Sequence, residues 1–146
     1  MSKWFPDTSD YAGAKAALKG GVWSSFAFAA MNALGVVLLI ATNKTPSLGQ
    51  QVESPVSAAL GILLEMAFVL VAAWRFGAGK GLIIGALAFA LFLVEVVAKV
   101  IGGTTNGGWM IAYVAVAAGF INGLRGAWAM RQFDRRDASV ESEVFE

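Results

Sequence analysis

Long apolar runs, rather than any alternation of apolar and polar positions, dominate this chain. Val22 to Ala41 carries no charge, Val56 to Trp74 is broken only by Glu65, and Gly81 to Ile101 contains Glu95 and Lys99. From Gly108 to Leu124 the sequence is again apolar, and the pattern continues past Arg125, so that span is drawn to about residue 128. A helix crosses the hydrocarbon of a bilayer with about 17–25 residues. The pattern therefore predicts an all-α integral membrane protein with four spans, at 22–41, 56–74, 81–101 and 108–128. Short connections favour antiparallel neighbours, which makes an up-down-up-down four-helix bundle the expected architecture.

Between the runs, Thr42 to Pro55 holds two prolines, Gly49 and several Ser/Thr residues and reads as an extended loop. Arg75 to Lys80, with Gly77 and Gly79, reads as a tight turn, as does the Gly/Thr/Asn stretch Gly102 to Gly107. Lys3, Lys15, Lys19, Arg75, Lys80, Arg125, Arg131, Arg135 and Arg136 fall on one side of such a bundle, against Lys44 and Lys99 on the other. The positive-inside rule then places both termini in the cytoplasm. The first span, preceded by Asp7 and Asp10 and lacking a small-residue cleavage site after it, reads as a retained anchor.

Residues 1–21 form an N-terminal segment in which Asp7-Thr8-Ser9-Asp10 offers a helix N-cap. The adjoining stretch, Tyr11 to Lys19, is either a short interfacial helix or an extension of the first span. Residues 134–146 read as an acidic, solvated cytoplasmic tail. Trp4, Trp23, Trp74, Trp109 and Trp128 lie near span ends, where aromatic residues anchor at headgroups. Arg125, Arg131, Arg135 and Arg136 are placed to meet anionic headgroups.

Composition narrows the chemistry. The chain is 58% hydrophobic and 14% charged, with 17 glycines, a net charge of +1, and neither cysteine nor histidine. Disulfides, thiolate or Ser/His nucleophiles and histidine or cysteine metal ligands are thereby excluded, and no cofactor or metal is expected. Nothing in the charge balance suits a nucleic acid. The bilayer is the expected surrounding, and a membrane-protein partner or a second copy of the chain is the expected kind of contact.

In so apolar a chain the polar exceptions inside the spans carry the information. Counting about 1.5 Å per residue inward from the loop end of each helix puts Asn32 and Glu65 at about 13 Å, Glu95 at about 9 Å and Tyr113 at about 7 Å. Lys99 lies one turn beyond Glu95, in the favourable Glu-before-Lys order. The four helices thus supply a polar layer of Asn32, Glu65, Glu95, Lys99 and Tyr113. On one reading the layer is structural, with hydrogen bonds across the bundle, Glu65 neutral and Glu95 paired with Lys99. On the other, Glu65 or Glu95 exchanges a proton with the outside while a substrate or cation passes.

Small residues give a second pattern. Ala115, Gly119, Gly123 and Ala127 recur every four residues along the fourth span, and Gly81 and Gly85 form a GxxxG at the start of the third. Such stripes let helices approach closely, either within one chain or between copies.

Four features resemble a loose group of small uncharacterised bacterial inner-membrane proteins with four helices. They are Gly20-Gly21-Val22-Trp23 entering the first span, Glu65 within the second, the basic Arg75–Lys80 turn, and the closing FINGLRGAWA segment at Phe120 to Ala129. In that group a His commonly comes after the closing segment, where this chain has Met130-Arg131. The resemblance implies a multi-pass protein of the bacterial inner membrane and no particular reaction.

Three functions are open to such a chain. The favoured reading is a non-enzymatic membrane protein that serves as an accessory or assembly subunit or associates with itself. The alternative is a small proton- or cation-coupled transporter working as an oligomer, with Glu65 as carrier and Glu95 and Lys99 as the gate. An intramembrane enzyme is the least supported, because the two carboxylates stand without any further catalytic constellation.

Overall fold

The computed structural model describes residues 5–42, 55–102 and 107–144. Four helices account for nearly all of them: α1 (Tyr11–Thr42), α2 (Pro55–Gly77), α3 (Leu82–Ile101) and α4 (Gly107–Val144). All four are long and apolar enough to cross a membrane. α1 packs against α2 and α4, and α3 closes the ring against the same two helices. Contacts run from Gly126 to Ala14 and from Gly119 to Ser24, so α1 and α4 are antiparallel. The remainder of the expected loop at 42–55, the Gly103–Asn106 part of the turn at 102–107, and Trp4 lie outside the described residues.

Local chemistry sets the helix ends. The Gly13 N–H donates to the Asp10 carboxylate at 2.6 Å, making Asp10 the N-cap of α1. One turn earlier, the Ser9 N–H donates to Asp7 Oδ1 at 3.0 Å, which favours the ionised carboxyl and holds the Asp7 pKa below its usual value. α1 is therefore continuous from Tyr11, and the residues at 11–19 extend the first span rather than forming a separate surface helix. Pro55 opens α2, where its missing N–H has no helical acceptor to lose. At the other end Gly79 adopts φ +73°, its N–H donates to the Phe76 carbonyl, and the Lys80 N–H donates to the Arg75 carbonyl. These two bonds are the 5→2 and 6→1 pair of a Schellman motif.

α4 departs from expectation. It is helical to Val144, so residues 134–144 of the expected solvated tail continue the helix. After Gly126 the sequence contains neither glycine nor proline, and nothing stops the helix at the membrane surface.

Two packing centres hold the bundle together. At the end bearing the α2–α3 turn, the fully buried Phe76 ring of α2 sits in a cup of four glycines: Gly21 of α1, Gly81 and Gly85 at the start of α3, and Gly123 of α4. A Cβ on Gly21 would lie 3.0 Å from the ring, and one on Gly81 2.7 Å. The GxxxG of α3 thus receives a side chain rather than another helix backbone. Beside the ring α1 and α4 meet directly: a Cβ on Gly123 would stand 2.5 Å from the Gly21 Cα.

Further along the axis Phe28, Phe92 and Phe120 form the second centre. Phe28 and Phe92 meet edge to face with centroids 5.1 Å apart, and Phe92 and Phe120 lie 5.8 Å apart. Such pairs contribute about 0.5–1.5 kcal/mol beyond the burial of their surface.

Candidate functional site

The polar residues of the spans gather beyond this aromatic layer, toward the ends of α1 and α3 and the starts of α2 and α4. Register explains the gathering. Lys99 lies one turn after Glu95 on α3, and the Lys99 ammonium donates to Glu95 Oε1 in a part-buried ion pair. The same ammonium stands over the Tyr113 ring of α4, 5.7 Å from its centroid. Across the bundle Glu65 of α2 is near enough to interact with Glu95, Lys99 and the Asn32 carboxamide of α1. All five polar residues therefore share one cluster drawn from all four helices.

Their surroundings differ. Asn32 and Tyr113 are buried at 5% exposure each, while the Glu95 and Lys99 side chains retain 18% and 38%. Phe92 packs on Tyr113 with centroids 6.1 Å apart, and Trp109 stacks on the other side of Tyr113 at 6.3 Å. The phenylalanines thus floor the cluster and separate it from the glycine cup at the opposite end.

Chemically, the cluster brings two carboxyls to one ammonium. Two of its polar atoms stay buried without a hydrogen bond among the described residues: Asn32 Nδ2 and Glu95 Oε2. One is a donor and the other an acceptor, so a water can meet either, whereas a proton or small cation can meet only Glu95 Oε2. Sequence spacing alone does not indicate the rings of Phe28, Phe92 and Phe120. Their only sequence signal is that each falls within two turns of a polar-layer residue on its own span.

The other expected site residues are spread over the bundle. Gly119 lies against Ser24 and Gly20, Gly123 against Gly21, and Ala127 is buried. Ala115 is exposed and lines a shallow groove of about 390 Å³ between α1 and α4, together with Gly20, Trp23, Ser24, Ala118, Gly119 and Asn122. Arg125 stands 6.0 Å from the Phe5 ring centroid and donates to Asn122 Oδ1 at 3.5 Å, so the N-terminal segment folds over it. Arg131, Arg135 and Arg136 are exposed along the extension of α4. No family model, curated protein or solved structure matches the chain, so any reading of these sites rests on their own geometry.

Proposed function

We propose that this chain is a non-enzymatic, multi-pass protein of the bacterial inner membrane, with both termini cytoplasmic, that works by association with a membrane partner or with copies of itself. The observation that carries the reading is the groove between α1 and α4. It is lined by small side chains on the outer face of the bundle, with the exposed Trp23 on its rim. Small residues admit close helix approach, and inside a bilayer dispersion and polar contacts, rather than the hydrophobic effect, drive association. Ser24 and Asn122 add polar groups to the groove.

Native mass spectrometry on protein gently extracted from its own membrane tests the proposal. The expected result is a homo-oligomer or a stoichiometric foreign subunit that Ala115→Trp or Ala118→Leu dissociates. A strict monomer, unchanged by either substitution, overturns it.

The unsatisfied Glu95 Oε2 favours a second reading, in which Glu65 and Glu95 bind a proton or cation in coupled transport. The two roles separate at Glu65. A structural Glu65 tolerates Gln and loses stability with Leu, whereas a proton carrier keeps flux in liposomes only with Asp. Unaltered flux in Glu65→Gln refutes transport through that carboxyl.

A further inference from the structure

At the opposite end of the bundle from the polar cluster, the α2–α3 turn and α4 border an open cavity of about 430 Å³. Its walls carry the three cations Arg75, Lys80 and Arg131, one carboxylate, Asp134, and the first three residues of α3, Leu82 to Ile84. The Schellman motif is what assembles this wall. Its 6→1 bond joins Lys80 to Arg75, the two positions whose side chains in most such motifs make an apolar contact. Here both are cationic, and Arg131 of α4 adds a third positive charge to the same space.

Two further observations point to an anion. Gly81 caps α3 without a side-chain hydrogen bond, and the first helical bond it accepts comes from Gly85 at 2.7 Å. The amides of Leu82, Ile83 and Ile84 therefore have no acceptor within the helix, and they stand at the positive end of its dipole. Independently, Arg75 Nε is buried and lacks a hydrogen bond, and no ion pair joins Arg75, Lys80 or Arg131 to a carboxylate among the described residues. The three cations thus line one space without a paired carboxylate, and an oxyanion supplies the charge they lack.

We propose that this cavity is a phosphate-binding site. A phosphate oxygen accepts from the Arg75 and Arg131 guanidinium groups that line the cavity, another accepts from the free amides of α3, and Lys80 balances the remaining charge. Three cations against one carboxylate leave a net +2 around the ligand, suited to a phosphate monoester or diester. The exposed Trp74 and Trp128 lie beside cavity residues, as belt residues do at the headgroup level. The phosphate is therefore either the headgroup of an anionic phospholipid or a free phosphate from the aqueous side.

The test uses the full chain, delipidated in a neutral detergent. One arm titrates it with phosphatidylglycerol in phosphatidylcholine nanodiscs and counts retained lipids by native mass spectrometry. The other titrates inorganic phosphate and monitors it by 31P relaxation. Saturable one-to-one binding of either ligand supports the site, and the arm in which it appears identifies the source. Arg75→Gln and Arg131→Gln should each weaken it about tenfold, whereas Lys19→Gln, exposed on α1 and outside the cavity, should change it less than about twofold. Asp134→Asn removes the one carboxylate from the wall and should tighten binding. That gain cannot come from misfolding. The proposal is overturned if neither ligand saturates, or if Arg75→Gln and Asp134→Asn behave as Lys19→Gln does.

Discussion

Gly123 offers the most direct test of the packing at the α1–α4 crossing. A methyl group there would sit 2.5 Å from the Gly21 Cα and 3.2 Å from the Phe76 ring, where carbon atoms in contact prefer about 3.5–4.0 Å. The nearest obstacle is backbone, so relief requires the two helices to separate by about 1 Å. Overpacking of this kind costs about 1–3 kcal/mol, while Gly→Ala in a helix returns at most about 1 kcal/mol in propensity.

Gly35 and Gly61 serve as internal references, because a Cβ at either meets nothing within 4 Å. Gly35→Ala and Gly61→Ala should be neutral or stabilising by up to about 1 kcal/mol, leaving Gly123→Ala about 1–3 kcal/mol below them. Reversible unfolding in mixed micelles of rising SDS fraction, monitored by far-UV circular dichroism and tryptophan fluorescence, measures the difference. If Gly123→Ala matches Gly35→Ala within about 0.5 kcal/mol, the close crossing is refuted.

Other positions test the same geometry. Phe76→Ala empties the glycine cup and should cost roughly 3–5 kcal/mol in the same unfolding assay; a loss below about 1 kcal/mol would show that the ring is not the centre of that end. Gly79→Ala forces a side chain into φ +73° and should lower stability by about 1–2 kcal/mol without changing the helical content. The Asp7 carboxyl, held ionised by the Ser9 amide, should titrate by carboxyl 13C NMR with a midpoint below about 3.9. Because its folded pKa is lowered, the turn it forms is at full strength above about pH 4 and is lost as pH falls through the folded midpoint. A midpoint at or above the ordinary aspartate value would show that the bond to Ser9 does not hold the carboxylate.

Several parts of this structure are legible from residue order, and others are not, for physical reasons. The spans stand out because a bilayer demands about twenty apolar residues in a row, and Val22–Ala41 and Gly81–Ile101 are each long and apolar enough to meet that demand. Counting inward from the helix ends places Asn32, Glu65, Glu95 and Tyr113 at similar depth, and the ring of helices then turns them toward one another. Helix ends beyond the hydrocarbon are less visible. Nothing about apolarity marks where Tyr11–Gly21 joins the first span, and the charged residues after Phe133 are as compatible with helix as with coil. The partner of Gly81 and Gly85 is hidden for another reason. A GxxxG states that space is needed without stating what fills it, and only the end of α2 reveals that the occupant is Phe76. The cation-lined cavity is likewise invisible until the Schellman motif turns Lys80 back onto Arg75.

The glycine cup also sets the order of assembly during synthesis. Phe76 leaves the ribosome with α2, when Gly21 is already in place on α1 and Gly81 and Gly85 are soon to emerge. Gly123, the last wall of the cup, arrives only with α4, after the other three walls have been made. Until that helix packs, the ring is open on one side, although α1 and α3 already pack against α2. The cup is therefore closed only when α4 packs, and a chain truncated before α4 should be recognised as unfinished and degraded rather than retained.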